Sequence, residues 1–295
     1  MSVKSTDSEQ HEADRAARGS ATTAASRIGV LTDVLCAVDG THLAYDAVRQ
    51  AAALAGPDGR LTLLAASASG GSGRYHGARL APEHAQTVLE AAQRLAGELG
   101  VSCETEVETT GRVEQVVIER ASGHGVLALG APSMSRLAHL LVGGLATTAA
   151  HTLPCALLVA RRPPSGGRFD ERIMVASDAL DHSDELVDFA IELARSRGAS
   201  LMLLHAPGPE YAFHPTRLQA QSERVREGLG ERASICVEPG HALQTIVQTA
   251  AAQGTSLIVL ASARASGLHA LGSVSERVVH DAPCSVLVLR PEDLG

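Results

Sequence analysis

The stretch LGSVSERVVHDAPCSVLVLR at residues 271–290 decides the fold, because VGGLATTAAHTLPCALLVAR at 142–161 repeats its pattern. Six identical pairs share one offset of 129 residues, the spacing from Gly143 to Gly272. The pairs are Gly143 with Gly272, His151 with His280, Pro154 with Pro283, Cys155 with Cys284, Leu158 with Leu287 and Arg161 with Arg290. An offset of this length fits a duplicated domain of ~100–150 residues and is too long for the unit of a solenoid or propeller.

Composition narrows the class of function. The 295-residue chain is 45% hydrophobic and 20% charged, the profile of a globular protein with room for two cores. Its formal net charge of −8 and its 2% aromatic content argue against a nucleic-acid partner, which requires a basic face and stacking platforms. Lys4 is the only lysine, so the folded part has no Walker-type phosphate lysine and no Schiff-base lysine.

The five cysteines are scattered, without a CxxC pair or the Cys/His spacing of a metal site. Three of them lie in apolar segments, as buried thiols do in a reducing compartment. No apolar run approaches the length of a membrane span, and no charged n-region precedes an apolar h-region. We therefore expect a cytoplasmic protein with no membrane partner and no metal beyond magnesium carried by a nucleotide.

Apolar strand-like runs alternate with segments of helical period in both copies. Residues 1–28 are polar and lack a periodic apolar face, which predicts a disordered tail. Domain 1 is predicted at 29–161 and domain 2 at 171–290, joined by a linker at 162–170 that is rich in Pro and Gly. Continuous apolar strands separated by helices indicate a parallel sheet covered on both faces. The sequence thus predicts an α/β protein of two doubly wound, Rossmann-like domains, each with a five-stranded parallel sheet.

The ends of the first strands are candidate ligand positions. In a doubly wound sheet the ligand lies beyond the carboxyl ends of the strands, at the topological switch point. Asp39 and Asp178 follow the first strand of each domain and precede a helix. A carboxylate there accepts hydrogen bonds from a ribose hydroxyl or a base amine, but Asp is also a good helix cap. Both roles stay open at this point.

A glycine-containing segment follows the fourth strand of domain 1, GAPSMSRLAHLLVGG at 130–144. One glycine leaves the strand, and the pair Gly143 and Gly144 opens the next predicted helix. Backbone N–H groups at a helix start bind phosphate without a lysine. This is the one type of phosphate site that so lysine-poor a chain permits.

The chain resembles the universal stress protein family in its tandem form. The resemblance lies in the order of strand, aspartate and helix, in the glycine loop that follows, and in the ending GSVSERVVHDAPCSVLVLR. The resemblance covers about 33–160 and 171–290, and the ending is its most specific part. It implies an adenine nucleotide alpha hydrolase-like fold and, in the ATP-binding branch, a nucleotide held between the first strand and the glycine loop.

The resemblance implies one nucleotide site in each domain. In domain 1 the residues would be Asp39 and Ala66 at the adenosine, with Gly130, Ser133, Gly143 and Gly144 at the phosphates. In domain 2 the corresponding residues are Asp178, Ala206, Arg264, Gly272 and Ser273.

Both loops depart from the family pattern G-x2-G-x9-G-S. In domain 1 Ser133 replaces the middle glycine, and Gly144 replaces the residue that carries a hydroxyl. In domain 2 Ala261 and Arg264 replace two glycines and the loop is two residues shorter, which changes the phosphate cradle more. Arg264 could pair with a phosphate or point to solvent. Domain 1 is therefore expected to bind ATP more tightly than domain 2.

The predicted function is a stress-response regulator that binds ATP, mainly in domain 1, and does not turn it over efficiently. A degenerate scaffold that binds no nucleotide is the first alternative, and a slow ATP hydrolase is the second. No visible base or metal constellation favours the hydrolase. The final strands, ALLVA and SVLVL, are apolar edges, so we expect the two domains to pair, as family dimers pair, or the chain to self-associate.

Overall fold

The computed structural model describes residues 28–67, 80, 82–111, 113–131, 155–163, 166–180, 183–208, 214–262 and 273–294. Several predictions fall outside this part of the chain. They include the tail apart from its last residue, most of the surface loop that the Gly/Ser-rich run at 67–79 predicts, the helix expected at about 143–151, and the predicted phosphate residues Ser133, Gly143, Gly144, Arg264 and Gly272.

Domain 1 contains the five strands that its sequence predicts. They are β1 (Asp33–Ala37), β2 (Arg60–Ala66), β3 (Glu104–Glu108), β4 (Val126–Gly130) and β5 (Ala156–Ala160). The described helices are α1 (His42–Ala55), α2 (Pro82–Glu98) and α3 (Val113–Ala121), and a 3-10 turn at Val30–Thr32 precedes β1. Thr41 caps α1 through its hydroxyl, and Gly56 ends it in a left-handed conformation. The described elements follow the predicted order.

Domain 2 repeats that order. Its strands are β6 (Arg172–Ser177), β7 (Ser200–His205), β8 (Ala233–Val237), β9 (Leu257–Ala261) and β10 (Ser285–Leu289). Its helices are α4 (Ser183–Arg197), α5 (Pro215–Leu229), α6 (Ala242–Ala252) and α7 (Ser273–Asp281). A 3-10 turn at Gly230–Arg232 and a final short helix, α8 (Pro291–Leu294), were not predicted.

The ten strands form one sheet in the order β3-β2-β1-β4-β5-β10-β9-β6-β7-β8. Each half has the same doubly wound order, and the strands within each half are parallel. The halves join where β5 and β10 pair antiparallel, with Leu158 opposite Leu287. The expected pairing of the two domains is therefore confirmed, and it covers both apolar strands: β5 and β10 are buried along their whole length. The duplicated pattern of the sequence accordingly gives one mixed, mostly parallel sheet.

The sheet carries a hydrophobic core on each face, and both cores run through the two domains. On one face α1, α2, α4 and α5 pack against strand residues such as Val34 and Val175. On the other face α3, α6 and α7 pack against residues such as Leu35 and Met174. The alternation of side chains along each strand produces this division. Because each core is shared, the two domains form one packed body.

Polar contacts reinforce the junction of the two domains. Ser285 in β10 accepts a hydrogen bond from the Arg161 amide at 3.0 Å and donates to Gln50 of α1 at 2.8 Å. The Arg161 guanidinium donates to the carbonyls of Val279 and His280, at 2.6 and 3.1 Å. An arginine of domain 1 therefore caps the C-terminus of α7 in domain 2, where the helix dipole favours a positive charge.

Candidate functional site

The strand order defines where a ligand crevice can lie. From β1 the chain winds outward through β2 and β3 and then returns to the other side of β1 as β4. The switch point of domain 1 is therefore the gap between the carboxyl ends of β1 and β4, the position at which doubly wound folds bind ligands. Asp39 follows β1, and Gly130 ends β4. The structure thus brings these two predicted residues to the two sides of one crevice.

In the turn between β1 and α1, Asp39 bonds to Thr41, which is the residue that caps α1. Its Oδ1 accepts hydrogen bonds from the Thr41 amide at 3.0 Å and from the Thr41 hydroxyl at 2.6 Å. Thr41 in turn accepts from the Ala44 amide at 3.3 Å. Gly40 makes this sharp turn with φ of 80°, a conformation that glycine adopts without steric cost. Within the described residues no donor reaches Asp39 Oδ2.

The end of β2 supplies a polar group that sequence reasoning missed. Ser67 directly follows Ala66, and its amide donates to the Glu108 carbonyl at 2.8 Å. Its hydroxyl is buried and has no hydrogen-bond partner among the described residues. A buried hydroxyl without a partner costs free energy, so it marks a place where a ligand donor or acceptor would be stabilising. The sequence signal was weak, because Ser67 opens a run of Ser and Gly that is typical of a surface loop.

Gly130 has a packing reason to be glycine. A Cβ on Gly130 would lie 2.7 Å from the backbone of Leu43 and 2.9 Å from the Ala44 amide nitrogen. The end of β4 therefore touches the first turn of α1 too closely for a side chain. This contact holds the two walls of the crevice together. The other predicted phosphate residues of domain 1, Ser133, Gly143 and Gly144, lie outside the described residues.

The corresponding turn in domain 2 has different chemistry. Asp178 is exposed, and its Oδ1 accepts a hydrogen bond from the Leu180 amide at 3.0 Å. Ala179 occupies the place of Gly40 with φ of 58°, so an alanine is held in the left-handed conformation. The buried Ser177 hydroxyl accepts from the Ala179 amide at 3.0 Å. Ala206 directly follows β7, whereas Ala66 is the last residue of β2.

A buried hydrogen-bond network lies beneath the turn of domain 2. Gln221 of α5, which is fully buried, accepts from the Ser177 hydroxyl at 2.7 Å. Its Nε2 donates to Ser183 at 2.9 Å and to Asp184 at 2.7 Å. Arg224 donates to Asp184 at 2.8 Å. The polar groups of this network are partnered with one another, which ties α4 to α5 below the predicted adenosine position.

The predicted phosphate loop of domain 2 is described only at its ends. Arg264 and Gly272 lie outside the described residues. Ser273 begins α7, and Ser275 in the first turn of that helix donates to the Ala261 carbonyl at 3.0 Å. The start of α7 is therefore fastened to the end of β9, on the side of the crevice opposite β6.

The cysteines have the properties of structural thiols. Burial raises the pKa of Cys155 and of Cys284 to about 12 and raises that of Cys36 further. Thiols with such pKa values stay protonated at neutral pH and are poor nucleophiles and ligands. Across the described ranges no group of three His, Cys, Asp or Glu side chains is placed to hold a metal ion. None of the described helices is both long and apolar enough to cross a membrane.

The fold and the crevices define a class: a duplicated, doubly wound α/β protein with an aspartate at the switch point of each half. The sequence profile of the Universal stress protein family matches residues 31–161 and 171–290, which is most of the chain. The protein therefore belongs to the universal stress protein family and carries two of its domains in tandem, as its ending predicted. A universal stress protein of Thermus aquaticus is 32% identical over 133 residues, covering 40% of this chain and 97% of its own.

Solved structures show the same two-domain architecture. A universal stress protein from Archaeoglobus fulgidus superposes with a TM-score of 0.66 at 15% identity, over 88% of this chain and 99% of its own. A putative universal stress protein from Pseudomonas aeruginosa superposes with a TM-score of 0.58 at 18% identity, over 90% and 96% of the two chains. At these identities the likeness concerns the fold.

Proposed function

We propose that the protein is a stress-response regulator whose first domain binds ATP in the crevice between β1 and β4 and does not turn it over efficiently. The observation that carries this proposal is the position of Asp39 at the switch point, with Oδ1 used by the α1 cap and Oδ2 unoccupied by any described donor. A ribose hydroxyl or an adenine amine is a donor of the kind that Oδ2 would accept.

The surroundings of Asp39 strengthen such a contact. The residue is half-buried, so its charge is less screened by water than that of an exposed carboxylate. A hydrogen bond to a charged group contributes roughly 1.5–3 kcal/mol. Ser67, at the end of the neighbouring strand, adds a buried hydroxyl that the described protein groups leave without a partner. A carboxylate oxygen and a hydroxyl at adjacent strand ends, neither bonded to a described residue, suit the polar edge of a nucleoside.

The triphosphate would extend from Gly130 toward the backbone amides near Gly143 and Gly144. This part of the proposal rests on the family resemblance of the glycine loop. Backbone N–H groups at a helix start are sufficient to bind the phosphates. They would have to do so here, because the folded part of the chain contains no lysine. Magnesium bound to the nucleotide would neutralise part of the phosphate charge.

A scaffold that binds no nucleotide is the second candidate, and two observations favour it. Asp39 already has a structural task in the α1 cap, and Gly130 is explained by its contact with α1. Neither residue therefore needs a ligand to account for its presence. The scaffold hypothesis predicts that replacing the Asp39 carboxylate removes its hydrogen bonds to Thr41 and has no other effect.

Calorimetric titration with ATP separates the two candidates. Asp39→Ala should weaken ATP binding roughly ten- to a hundredfold, which corresponds to the loss of one charge-assisted hydrogen bond. Thr41→Ala is the matched control, because it removes the capping hydroxyl and keeps the carboxylate. Asp178→Ala is the control for the second domain and should leave the tighter site unchanged. Ser67→Ala should weaken binding less than Asp39→Ala, since its hydroxyl is neutral.

Three results would overturn parts of the proposal. If millimolar ATP produces no heat with the wild-type protein, the scaffold is correct. If Asp178→Ala and not Asp39→Ala weakens binding, the site is in domain 2. Release of phosphate from ATP at about 1 per second or faster would make the protein an enzyme in the ordinary range of turnover.

A further inference from the structure

A cleft of about 500 Å³ lies between the two domains, away from both switch points. Its walls come from three segments: α1 of domain 1, the linker after β5 and the C-terminal end of α4 in domain 2. None of the residues predicted at either nucleotide site lines it. The cleft therefore requires an explanation of its own.

The charges that line the cleft do not balance. Its ionisable residues are four arginines and two aspartates, which leaves a surplus of two positive charges. The arginines are Arg49, Arg162, Arg168 and Arg197, and the aspartates are Asp46 and Asp170. Both aspartates are buried, at 7% and 4% exposure, while the whole protein has a formal net charge of −8. A local positive surplus on an acidic protein attracts anions to this place.

One of the four arginines has a purely structural task. Arg197 donates to the carbonyls of Ala53 and Leu54 at 2.7 and 3.1 Å, and its Nε lies 3.6 Å from Asp170. An arginine of domain 2 thus caps the C-terminus of α1 in domain 1. This bond fixes the floor of the cleft by holding the ends of the two helices together.

The other three arginines keep unused donors. Arg49 donates to Asp46 at 3.1 Å, and Arg162 approaches the same carboxylate at 3.6 Å. Arg168 donates to Asp170 at 3.0 Å and to the Arg197 carbonyl at 2.7 Å. A guanidinium group has five N–H donors, so in the described part of the chain most donors of these three side chains have no protein acceptor. All three side chains are at least half exposed and can turn toward a bound anion.

We propose that this interdomain cleft binds a small phosphorylated anion through the guanidinium groups of Arg49, Arg162 and Arg168. Guanidinium forks match phosphate oxygens in pairs, which makes arginine the preferred side chain for such anions. A phosphate dianion cancels the surplus of two charges at one centre, whereas a carboxylate cancels only one. The cleft is several times larger than a phosphate group, and Phe169 and Pro163 give it an apolar wall for the rest of the molecule.

Titration of the full chain with pyrophosphate tests the proposal. At low ionic strength, Arg49→Gln and Arg162→Gln should each weaken pyrophosphate binding about tenfold, the effect of losing one charge-assisted contact. Arg120→Gln is the matched control, because Arg120 is half exposed and pairs with Glu106 and Glu108 at the far end of the sheet. Asp46→Asn should act in the opposite direction and tighten binding, since it raises the positive surplus.

Several results would overturn the proposal. The cleft is no anion site if millimolar pyrophosphate gives no heat, or if Arg49→Gln and Arg162→Gln bind it as tightly as Arg120→Gln does. Equal affinity for malonate would show that the site selects charge and not phosphate. Loss of pyrophosphate binding in Asp39→Ala would place the anion in the β1–β4 crevice instead. Thermal unfolding of every variant establishes that it is folded. The tighter pyrophosphate binding expected for Asp46→Asn is a separate test, because it does not depend on how well the arginine variants fold.

Discussion

In domain 1 the turn after β1 passes through Gly40 and leads into a helix capped by Thr41; in domain 2 the turn after β6 passes through Ala179 at the same place. Both residues adopt the left-handed conformation, with φ of 80° and 58°. The equivalent residue therefore has a positive φ in both copies, although only glycine adopts it without steric cost. In domain 2 the alanine is held there with local strain.

Below the two turns the chemistry differs. The buried residues Ala85, Leu89, Ala92 and Ala96 of α2 match Leu218, Ser222, Val225 and Leu229 of α5 in spacing, which places Val88 and Gln221 at equivalent positions. Domain 1 therefore has Val38 and Val88 in an apolar cluster where domain 2 has Ser177 hydrogen-bonded to Gln221. Among the described residues of domain 1 the buried Ser67 hydroxyl has no hydrogen-bond partner, whereas Ser177 and Gln221 of domain 2 bond to each other. The two copies thus share a fold and differ in their buried polar groups.

The network in domain 2 should be the most costly feature to break. Gln221→Leu removes the partner of two buried hydroxyls, Ser177 and Ser183, and of the partly exposed Asp184, and should lower the free energy of unfolding by about 2–3 kcal/mol. Val88→Ala, at the equivalent place in domain 1, should cost about 1 kcal/mol, because it removes two methyl groups from a half-buried side chain. Urea unfolding monitored by circular dichroism measures both.

A double substitution sharpens this test. Ser177→Val combined with Gln221→Val introduces the apolar pair of domain 1 and should recover part of the loss caused by either change alone. The coupling between the two sites is then obtained from a double-mutant cycle. A Gln221→Leu variant as stable as the wild type would show that the network contributes nothing.

The two turns give the next largest effects, and these should have opposite signs. Gly40→Ala should destabilise the protein by about 1–2 kcal/mol, since alanine is disfavoured at positive φ. A Cβ there would also lie 2.9 Å from Val88 Cγ2. Ala179→Gly should stabilise it by up to about 1 kcal/mol through the release of the same strain. Thermal unfolding of both variants tests these predictions. If Ala179→Gly is destabilised, packing of the alanine methyl group contributes more free energy than the backbone strain costs.

The starts of the first strands differ in charge, which predicts a pH dependence confined to domain 1. Burial would raise the pKa of Asp33, but hydrogen bonds from Arg60 and His124 outweigh it and hold the pKa below its ordinary value. Arg172 begins the equivalent strand of domain 2. A lowered pKa in the folded state contributes stability above the unfolded-state pKa, and this contribution disappears as pH falls through the lower, folded-state value.

Asp33→Asn should therefore cost less than about 1 kcal/mol at pH 7, because the carboxylate is partly exposed and screened. The difference from the wild type should shrink as pH falls below about 4. Asp58→Asn, an exposed aspartate of the same domain, is the control and should show no such trend. Urea midpoints measured from pH 7 to pH 3 test the prediction, and a difference that does not change with pH contradicts it.

The smallest expected effect concerns the second strands. Thr62 in β2 is buried, and its hydroxyl has no hydrogen-bond partner among the described residues, whereas Met202 occupies the equivalent position in β7. Thr62→Val keeps the shape and removes the unsatisfied hydroxyl, so it should stabilise the protein by about 0.5–1 kcal/mol. Met202→Leu is a volume-conserving control that should change little. A destabilised Thr62→Val would show that the hydroxyl has a partner.

Most of the architecture was readable from the sequence because it depends on local pattern. The run VLALG at 126–130 and the run ALLVA at 156–160 match β4 and β5 residue for residue, since buried parallel strands are continuously apolar. The apolar final strands, together with the family resemblance, also predicted that the two domains pair, and β5 pairs with β10. The missed helix α8 is a single short turn, too brief to have a helical period.

The candidate site was only partly predictable, because its polar groups depend on contacts between distant segments. The position of Asp39 after a strand predicts either a ligand contact or a role at the start of the helix. The structure shows that Thr41 uses one of its two carboxylate oxygens. Ser67 and Gln221 belong to no sequence motif. The Ser67 hydroxyl has no hydrogen-bond partner among the described residues, and the Gln221 side chain has three partners from other segments. The sequence predicts Gly130 in a phosphate loop. Its close contact with α1 joins two distant segments and is therefore visible only in the folded chain.

The antiparallel pairing of β5 with β10 places the turns of the two domains at opposite rims of the sheet. Because the strands reverse there, the carboxyl ends of β1 and β4 face one rim of the sheet, and those of β6 and β9 face the other. Two identical subunits paired in this way would look the same from either rim. In this chain one rim carries Asp39 and the Ser67 hydroxyl, which has no hydrogen-bond partner among the described residues, and the other carries Asp178 and the hydrogen-bonded pair Ser177 and Gln221. A molecule that approaches one rim therefore meets only one of the two domains' turns.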